Sequence, residues 1–484
     1  MHVHLIGVCG TGMGALAGLL KEAGHRVTGS DSAFYPPMGD ALVRWGIEVR
    51  TGFRPENLEP APDLVVIGNV CRPSNPEAVA AIERGLRYVS MAGAIAELFL
   101  QKTRSFVIAG THGKTTTSAL LAYLLEATGA RPGFLIGGIP ADFAHSFRAG
   151  RPDGPFVIEG DEYDSAFFEK TPKLWQYRPE VAIVHAIEHD HIDIYPDMAS
   201  YRHAFERFVE LMPQHGILIA NAADPEVRAV ASRARCSVTY FALEGEDTGQ
   251  VSPTWLAAPC KAEAELQPFD LFYGGSHCGR VLSPLSGRHN VKNAVAAIAA
   301  AAEGMRGTIS VRDLTAALVR FGGVRRRQEL RGVAAGVRVY DDFAHHPTAV
   351  AETLGGLRAR HPDGALIALF EPRSATASRK LHQAQYPAAF APADITLLAP
   401  VGRAEIAQAE RLDVQRIAAD IAGSGKVAEA LPSIDAIVER VLQVAKAGDC
   451  VVAMSNGAFG GVHERLLAAL AKRDLSARLA AATA

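Results

Sequence analysis

A glycine-rich segment near residue 110 constrains the fold more than any other part of the chain. The segment Gly110–Thr116 has the sequence GTHGKTT, follows an apolar strand-like run, and leads into the helical pattern Thr115–Ala127. This context is the one that a phosphate-binding loop requires, because N–H groups at the helix start face the phosphates. Lys114 would place its charge on the outer phosphates, and the Thr115 hydroxyl would ligate Mg²⁺. The strict Walker spacing requires glycine where this chain has Ile108, so we interpret the segment as a shortened variant.

Short apolar runs alternate with helical patterns along the whole chain, which predicts an α/β fold built from βαβ units. At roughly 150 residues per domain, a chain of 484 residues contains about three domains. We place the domains at residues 1–102, 103–322 and 323–484. The predicted strands are Val3–Val8, Arg26–Gly29, Leu64–Ile67, Ser105–Ala109, Phe156–Ile158, Val181–Val184, Val337–Tyr340, Ala365–Phe370, Ile395–Leu398 and Cys450–Met454.

Composition narrows the class of protein. The formal net charge of −3 lacks the basic excess that nucleic-acid or acidic-membrane binding leaves in a sequence. No apolar run reaches the roughly 18 residues needed to span a bilayer. The six cysteines lack C-x-x-C spacing and the N-terminus lacks a signal-peptide pattern, so we expect a cytoplasmic protein with free thiols. The sequence does not indicate an oligomeric state.

Two acidic segments follow predicted strands downstream of the glycine-rich loop. They are Glu159–Asp164, with the sequence EGDEYD, and Glu188–Asp193, with the sequence EHDHID. Each segment alone is also typical of a solvated loop. Because both end strands near a phosphate loop, the sequence favours a site for a hard divalent cation. The two histidines of EHDHID come with many carboxylates and no thiolate, which favours Mg²⁺ over zinc there.

The residues alone do not decide what two further segments bind. Gly7–Ala15, followed by Asp31, matches a dinucleotide fingerprint loosely; it also fits a UDP-sugar diphosphate or a tight turn without a ligand. Arg325–Arg327 and Asp341–Pro347 follow the second domain boundary. They could contribute to a site, or equally form an exposed basic surface and a helix start.

Taken together, these motifs resemble the Mur ligase family, the ATP-dependent amide ligases of peptidoglycan synthesis. The resemblance implies a Rossmann-like UDP-sugar-binding domain at residues 1–102, a central ATP-binding P-loop domain at 103–322, and a mobile, Rossmann-like peptide-binding domain at 323–484. It extends over nearly the whole chain, through Gly110–Thr116, Glu159–Asp164, Glu188–Asp193, Gly287–Asn293, Arg327-x-Glu329 and Asp342–Pro347.

Within the family, the chain is similar to the branch that attaches a preformed murein tripeptide to UDP-N-acetylmuramate during peptidoglycan recycling. This similarity is found in Gly7–Thr11, Tyr35–Met38, Pro132–Gly138, Glu371–Ser374 and Met454–Gly461. Three positions depart from family patterns. Ala458 and Gly160 replace an expected glycine and alanine, and Phe205 stands where several members have a carbamylated lysine. The muramate-accepting branch is expected to lack that lysine.

The resemblance implies an acyl-phosphate mechanism with ATP and Mg²⁺ as cofactors, and it assigns residues to roles. The catalytic residues are Lys114, His191 and Arg327. The ATP-binding residues are Gly110, Thr111, His112, Gly113, Lys114, Thr115, Thr116, Asn290, Arg327 and Asp342. The UDP-sugar-binding residues are Gly10, Thr11, Gly12, Met13 and Asp31. The peptide-binding residues are His345, Arg373, Ser374, Asn456 and Gly457. The metal ligands are Thr115, Glu159 and His191.

Three alternatives remain at this point. The chain could belong to the branch that adds L-alanine to UDP-N-acetylmuramate. A NAD-dependent oxidoreductase would use the N-terminal glycine loop but leaves Gly110–Thr116 unexplained. A regulatory P-loop ATPase leaves the first domain and the region of Arg373 unexplained.

Overall fold

The computed structural model describes residues 1–263, 265–403 and 405–483, with side chains up to Leu475. Within these residues, the larger sheets have five, ten and six strands and follow one another along the chain. Helices alternate with the strands, so the predicted α/β fold is confirmed. None of the helices in the described ranges is long and apolar enough to cross a bilayer.

The first sheet is entirely parallel and has the order β3-β2-β1-β4-β5. Strand order reverses between β1 and β4, and such a switch point opens a crevice at the carboxyl ends of the strands. Helix α1 begins at that crevice, directly after the N-terminal glycine loop. The elements are β1 (His2–Ile6), α1 (Thr11–Glu22), β2 (Arg26–Asp31), α2 (Met38–Arg44), β3 (Glu48–Thr51), β4 (Leu64–Ile67), α3 (Pro76–Glu83), β5 (Tyr88–Ser90) and α4 (Met91–Leu98).

The second sheet has the order β17-β16-β15-β14-β13-β12-β6-β9-β7-β8, with β6 parallel to both of its neighbours. Strands β16, β17 and β8 are antiparallel additions to the parallel part, while β10 and β11 form a separate antiparallel pair. The elements are β6 (Arg104–Ala109), α5 (Lys114–Ala127), β7 (Gly133–Leu135), β8 (Phe147–Arg148), β9 (Pro155–Gly160), β10 (Asp164–Ala166), β11 (Glu169–Pro172), β12 (Val181–Val184), α6 (Met198–Glu210), β13 (Ile217–Asn221), α7 (Pro225–Ala231), β14 (Ser237–Leu243), β15 (Trp255–Pro259), β16 (Gln267–Tyr273), β17 (Ser276–Ser283), α8 (Arg288–Gly304) and α9 (Val311–Leu318).

The third sheet has the order β18-β19-β23-β20-β21-β22, parallel except for the edge strand β18. The carboxyl ends of β19, β20 and β23 therefore lie side by side. The elements are β18 (Glu329–Ala334), β19 (Val337–Asp342), α10 (Pro347–Arg360), β20 (Leu366–Phe370), α11 (Tyr386–Ala389), β21 (Ile395–Leu398), α12 (Val414–Gly423), β22 (Val427–Ala430), α13 (Ile434–Val444), β23 (Cys450–Met454) and α14 (Val462–Thr483).

An aromatic contact joins the first and second sheets. The ring of Phe147 on β8 lies 5.0 Å from Trp45, edge to face. A Cβ at Gly18 on α1 would lie only 2.2 Å from the Phe147 ring, so a side chain at position 18 would displace the contact.

The predicted domain boundaries, after residues 102 and 322, fall between the sheets and remain predictions.

Candidate active site

The glycine-rich loop connects β6 to α5 at the centre of the second sheet. Gly113 has φ +82° and Gly110 φ +128°, conformations that favour glycine. A Cβ on Gly113 would lie 2.7 Å from the Asn293 side-chain oxygen, and one on Gly110 would lie 3.1 Å from the Ala186 backbone. No side chain caps the start of α5, so its first N–H groups are available to an anion.

Lys114 lies across this loop. Its Nζ is 3.0 Å from both carboxylate oxygens of Glu162 and 2.5 Å from the Gly110 carbonyl oxygen. The Glu162 side chain is fully buried. Burial disfavours the Lys114 cation, but the charges of Glu162 and Asp161 outweigh it and raise the Lys114 pKa above its usual value. Lys114 is therefore a charged, oriented group at the loop, and Glu162 is a partner that the sequence analysis did not assign.

Thr115 and Glu159, two of the predicted metal ligands, are in contact. The Thr115 hydroxyl donates to Glu159 Oε2 at 3.1 Å, and the Gly137 N–H donates to Oε1 at 2.7 Å. Arg327 Nη2 lies 3.2 Å from the Thr115 hydroxyl oxygen. Burial raises the pKa of Glu159. Two oxygen donors in a buried site beside a phosphate loop are the ligand type that Mg²⁺ prefers.

His191 lies in a neighbouring cluster rather than against Thr115. Its ring is 4.2 Å from that of Tyr163, and its backbone N–H donates to Asp190 Oδ1 at 2.7 Å. Although burial opposes it, the charge of His191 and a hydrogen bond from Thr376 hold the Asp190 pKa well below its usual range. Thr376 and His345, both of the third domain, lie close enough to influence Asp190, so residues of two domains face this carboxylate.

Arg327 reaches the phosphate loop from the start of the third domain. Its guanidinium lies 4.8 Å from the centre of the Phe343 ring. Asp342 is held by the N–H groups of Gln328 and Ala344, both at 2.8 Å. Burial lowers the pKa of Arg327 and raises that of Asp342, and each opposite charge counteracts the shift of the other.

The remaining predicted ATP residues surround the loop. The Thr111 hydroxyl donates to the Glu188 carbonyl at 3.0 Å, and Thr116 is buried in the first turn of α5. The Asn290 side chain donates to the Ser286 carbonyl at 2.8 Å and accepts from Asn293 at 3.1 Å. Asn290 thus supports the start of α8, and Asn293 is the residue that touches the loop.

The predicted UDP-sugar residues lie at the switch point of the first sheet. Gly10 precedes α1, and residues 11–13 form its first turn, again without a side-chain cap. Asp31 Oδ2 accepts the Cys9 N–H at 2.8 Å, and Oδ1 accepts the Ser32 N–H at 2.7 Å. Asp31 therefore holds the glycine loop to the end of β2, beside an exposed helix N-terminus that suits a diphosphate.

Arg373 follows β20, and its side chain is half exposed. Arg373 Nη1 lies 3.9 Å from Glu371 Oε1, which is within the range of an ion pair but too far for a hydrogen bond. The Arg373 side chain lies against two glycines: a Cβ on Gly457 would be 2.3 Å from its Cδ, and one on Gly402 would be 3.2 Å from its Cγ. The guanidinium is therefore directed by a glycine-lined slot and remains available to a ligand.

The loop after β23 forms the other side of this region. Arg326 donates to the carbonyl oxygens of Ser455 and Gly457, both at 2.6 Å. The Asn456 side-chain oxygen is buried without a hydrogen-bond partner among the described residues. Ser374 instead accepts the Ala377 N–H at 2.9 Å and supports the local turn.

His345 has a defined tautomer. Its Nδ1 lies 3.0 Å from the Phe343 carbonyl, an acceptor that keeps the proton on Nδ1 and leaves Nε2 as an acceptor. Burial lowers the pKa of His345, so the ring is neutral near pH 7.

A second cluster lies between the central and third domains, and the sequence analysis did not predict that its residues lie together. Glu188 Oε2 accepts from the Thr348 hydroxyl at 2.7 Å and lies 3.2 Å from His112 Nε2 and 3.4 Å from His346 Nδ1. The individual motifs are visible in the sequence, but their meeting depends on domain packing. Phe205, at the position of the family's carbamylated lysine, is fully buried against Tyr201.

An uncapped phosphate loop in a mostly parallel sheet, flanked by two further α/β units, defines a nucleotide-binding α/β enzyme. Residues 2–103 match the catalytic domain of the Mur ligase family, residues 108–301 the Mur ligase middle domain, and residues 326–457 the Mur ligase glutamate ligase domain. The chain belongs to the Mur ligase family, whose members are ATP-dependent ligases that form amide bonds.

Individual relatives match this chain over nearly its whole length. It is 38% identical to the UDP-N-acetylmuramate–L-alanyl-γ-D-glutamyl-meso-2,6-diaminoheptandioate ligase of Escherichia coli, over 99% of this chain and 100% of the relative. A UDP-N-acetylmuramate–L-alanine ligase of Roseiflexus is 34% identical over 93% and 97%. The crystal structure of a murein peptide ligase from Psychrobacter arcticus matches with a TM-score of 0.69 and 36% identity, over 97% of this chain and 99% of the other.

Proposed function

We propose that this chain joins UDP-N-acetylmuramate to the tripeptide L-alanyl-γ-D-glutamyl-meso-diaminopimelate in an ATP-dependent reaction of peptidoglycan recycling. The observation that supports it most directly is the half-exposed Arg373 guanidinium, directed by Gly402 and Gly457 at the carboxyl end of β20. The identity with the Escherichia coli ligase supports the same substrates. All six cysteines lie within the described residues and are free thiols, as is usual in a reducing cytoplasm, where we place the protein.

The ATP phosphates bind at the uncapped start of α5. Residues 110–116 surround them, Lys114 neutralises the outer phosphates, and Arg327 joins from the third domain. Asp342 orients Arg327 by charge, and Asn290 supports the adjoining helix. Thr115, Glu159 and His191 would hold Mg²⁺, which neutralises phosphate charge when it is bound. The donor atoms of Thr115 and Glu159 fit this ion, since the hydroxyl and the carboxylate already meet at 3.1 Å, and His191 would join from the neighbouring cluster.

A carboxylate must be activated before an amine can attack it. The γ-phosphoryl group is transferred to the lactoyl carboxylate of UDP-N-acetylmuramate, which gives an acyl phosphate and ADP. The amine of the tripeptide then attacks the acyl carbon, and phosphate leaves as the amide bond forms. Phosphoryl transfer requires positioned charges rather than a protein nucleophile. The cationic side chains of Lys114 and Arg327 meet that requirement from two different domains.

The two other substrates bind at separate sheet edges. Gly10–Met13 and Asp31 receive the UDP-sugar diphosphate at the exposed start of α1. Arg373, with Ser374 and the loop containing Asn456 and Gly457, receives carboxylates of the peptide, because arginine captures a planar carboxylate in two hydrogen bonds. His345 offers its Nε2 as an acceptor to the peptide's amine.

The test is product formation with UDP-N-acetylmuramate, ATP and Mg²⁺, with the tripeptide and L-alanine supplied in parallel reactions. We expect a UDP-N-acetylmuramoyl-tripeptide in the first reaction and a rate at least 10-fold lower in the second, since L-alanine has a single carboxylate for Arg373. Equal or faster use of L-alanine would replace our proposal with an alanine ligase, as the relatives of that name allow.

A further inference from the structure

The cluster of His112, Glu188 and His346 lies between the central and third domains and has no role in the mechanism above as a unit. His112 and Glu188 follow β6 and β12, and His346 immediately precedes α10. The donor atoms of these three side chains all lie within 4.8 Å of one another. Two imidazoles and one carboxylate form a donor set that proteins use for zinc.

The distances fit a tetrahedral ion. Ligand atoms about 2.0 Å from zinc stand about 3.3 Å apart at the edges of a tetrahedron. Glu188 Oε2 lies 3.2 Å from His112 Nε2 and 3.4 Å from His346 Nδ1. Two of the three edges therefore already match, and the third is no longer than 4.8 Å.

The position of His346 Nδ1 suits an ion. As the residue that caps α10, His346 accepts the Thr348 N–H at Nδ1, but at 3.4 Å this hydrogen bond is long. The same nitrogen lies 3.4 Å from Glu188 Oε2, so an ion bound between the two side chains would take the Nδ1 lone pair in place of the long cap.

The surroundings of His346 and Glu188 also suit a bound ion. His346 is 5% exposed, and its Nε2 lacks a hydrogen-bond partner among the described residues. The Thr348 hydroxyl donates to Glu188 at 2.7 Å, the outer hydrogen bond that orients a carboxylate ligand. A cleft of about 590 Å³ opens onto Glu188 and His346, which gives an ion and a fourth, water ligand access.

We propose that His112, Glu188 and His346 form a binding site for a transition-metal dication of the Zn²⁺ class, distinct from the Thr115–Glu159 pair. Its ligands come from two domains, so an ion that binds there stabilises the arrangement in which the domains meet. This inference does not depend on which amine the enzyme uses.

The experiment titrates the full-length protein with Co²⁺ in excess Mg²⁺ and follows visible d–d absorption, which is strong for four-coordinate and weak for six-coordinate sites. We expect one strong band that saturates at one Co²⁺ per chain and disappears when Zn²⁺ is added. His346→Asn retains a residue able to cap α10 but removes the imidazole. It should weaken Co²⁺ binding by at least about 100-fold, as should Glu188→Gln.

Two controls separate this site from others. Glu159→Gln, at the proposed Mg²⁺ site, and His203→Ala, an exposed histidine on α6, should both retain the band. Zn²⁺ should also raise the melting temperature of the wild type but not of His346→Asn. A wild-type protein without a strong band, or a band that persists in His346→Asn, would overturn the proposal and leave the cluster as a hydrogen-bonded contact.

Discussion

Replacing Arg373 by alanine tests how the enzyme distinguishes a tripeptide from a single amino acid. A charge-assisted hydrogen bond contributes about 1.5–3 kcal/mol. Because the Arg373 side chain is 50% exposed, solvent screening reduces this contribution to about 1–2 kcal/mol. We therefore expect the tripeptide KM to rise about 5- to 30-fold. The KM values for ATP and UDP-N-acetylmuramate should stay within about 2-fold of wild type, because those substrates bind at other sheet edges.

A second substitution reaches the same guanidinium without removing its charge. A Cβ on Gly457 would lie 2.3 Å from the Arg373 Cδ, so Gly457→Ala should displace the arginine and raise the tripeptide KM similarly. Arg373→Lys, which keeps the charge but loses the planar fork, should give an intermediate value. Arg416→Ala, on the exposed face of α12, is the matched control and should change none of the three KM values.

The assay is steady-state phosphate release, with each substrate varied in turn and thermal melts run on every variant. If all three KM values rise together in Arg373→Ala, or if only the melting temperature falls, then Arg373 does not recognise the peptide. If Arg373→Ala and Gly457→Ala both still strongly prefer the tripeptide over L-alanine, then the peptide is recognised elsewhere in the third domain.

Four further predictions concern the reaction and the central domain. Lys114→Ala should lower kcat roughly 100-fold or more with an unchanged circular dichroism spectrum. Near-normal turnover in this variant would show that the loop takes no part in catalysis. Glu159→Gln and His191→Ala should each need more Mg²⁺ for half-maximal rate; an unaltered requirement in both would contradict the metal assignment. With ¹⁸O in the lactoyl carboxylate, one label should appear in the released phosphate, whereas label-free phosphate would exclude the acyl phosphate. Burial lowers the His185 pKa to about 3, so the unfolded state binds the extra proton below pH 6.5. Stability should consequently fall with pH from 6.5 towards 3, by up to about 1.4 kcal/mol per unit for this group, and chemical denaturation of His185→Gln should show a shallower slope.

The phosphate loop and much of the sheet framework could be predicted from local sequence. Leu64–Ile67, Val181–Val184, Ile395–Leu398 and Cys450–Met454 form strands with the predicted bounds, since each is a continuous apolar run buried on both faces. The remaining strands were missed: β3, β5, β7, β8, β10, β11, β13–β17, β18 and β22. Strand β17, for example, has mostly exposed or half-buried residues at the sheet edge, and such a strand lacks the continuous apolar run.

Tertiary structure alone decided which groups meet. Lys114 pairs with Glu162, 48 positions away, and Arg327 reaches Thr115 across 212 positions. Glu188 meets Thr348 across 160 positions. Local periodicity determines which face of a strand or helix is buried, and glycine positions determine where a loop can turn. Contacts between distant positions instead depend on how whole domains pack, and this is why the motifs were visible in the sequence while their pairing required the fold.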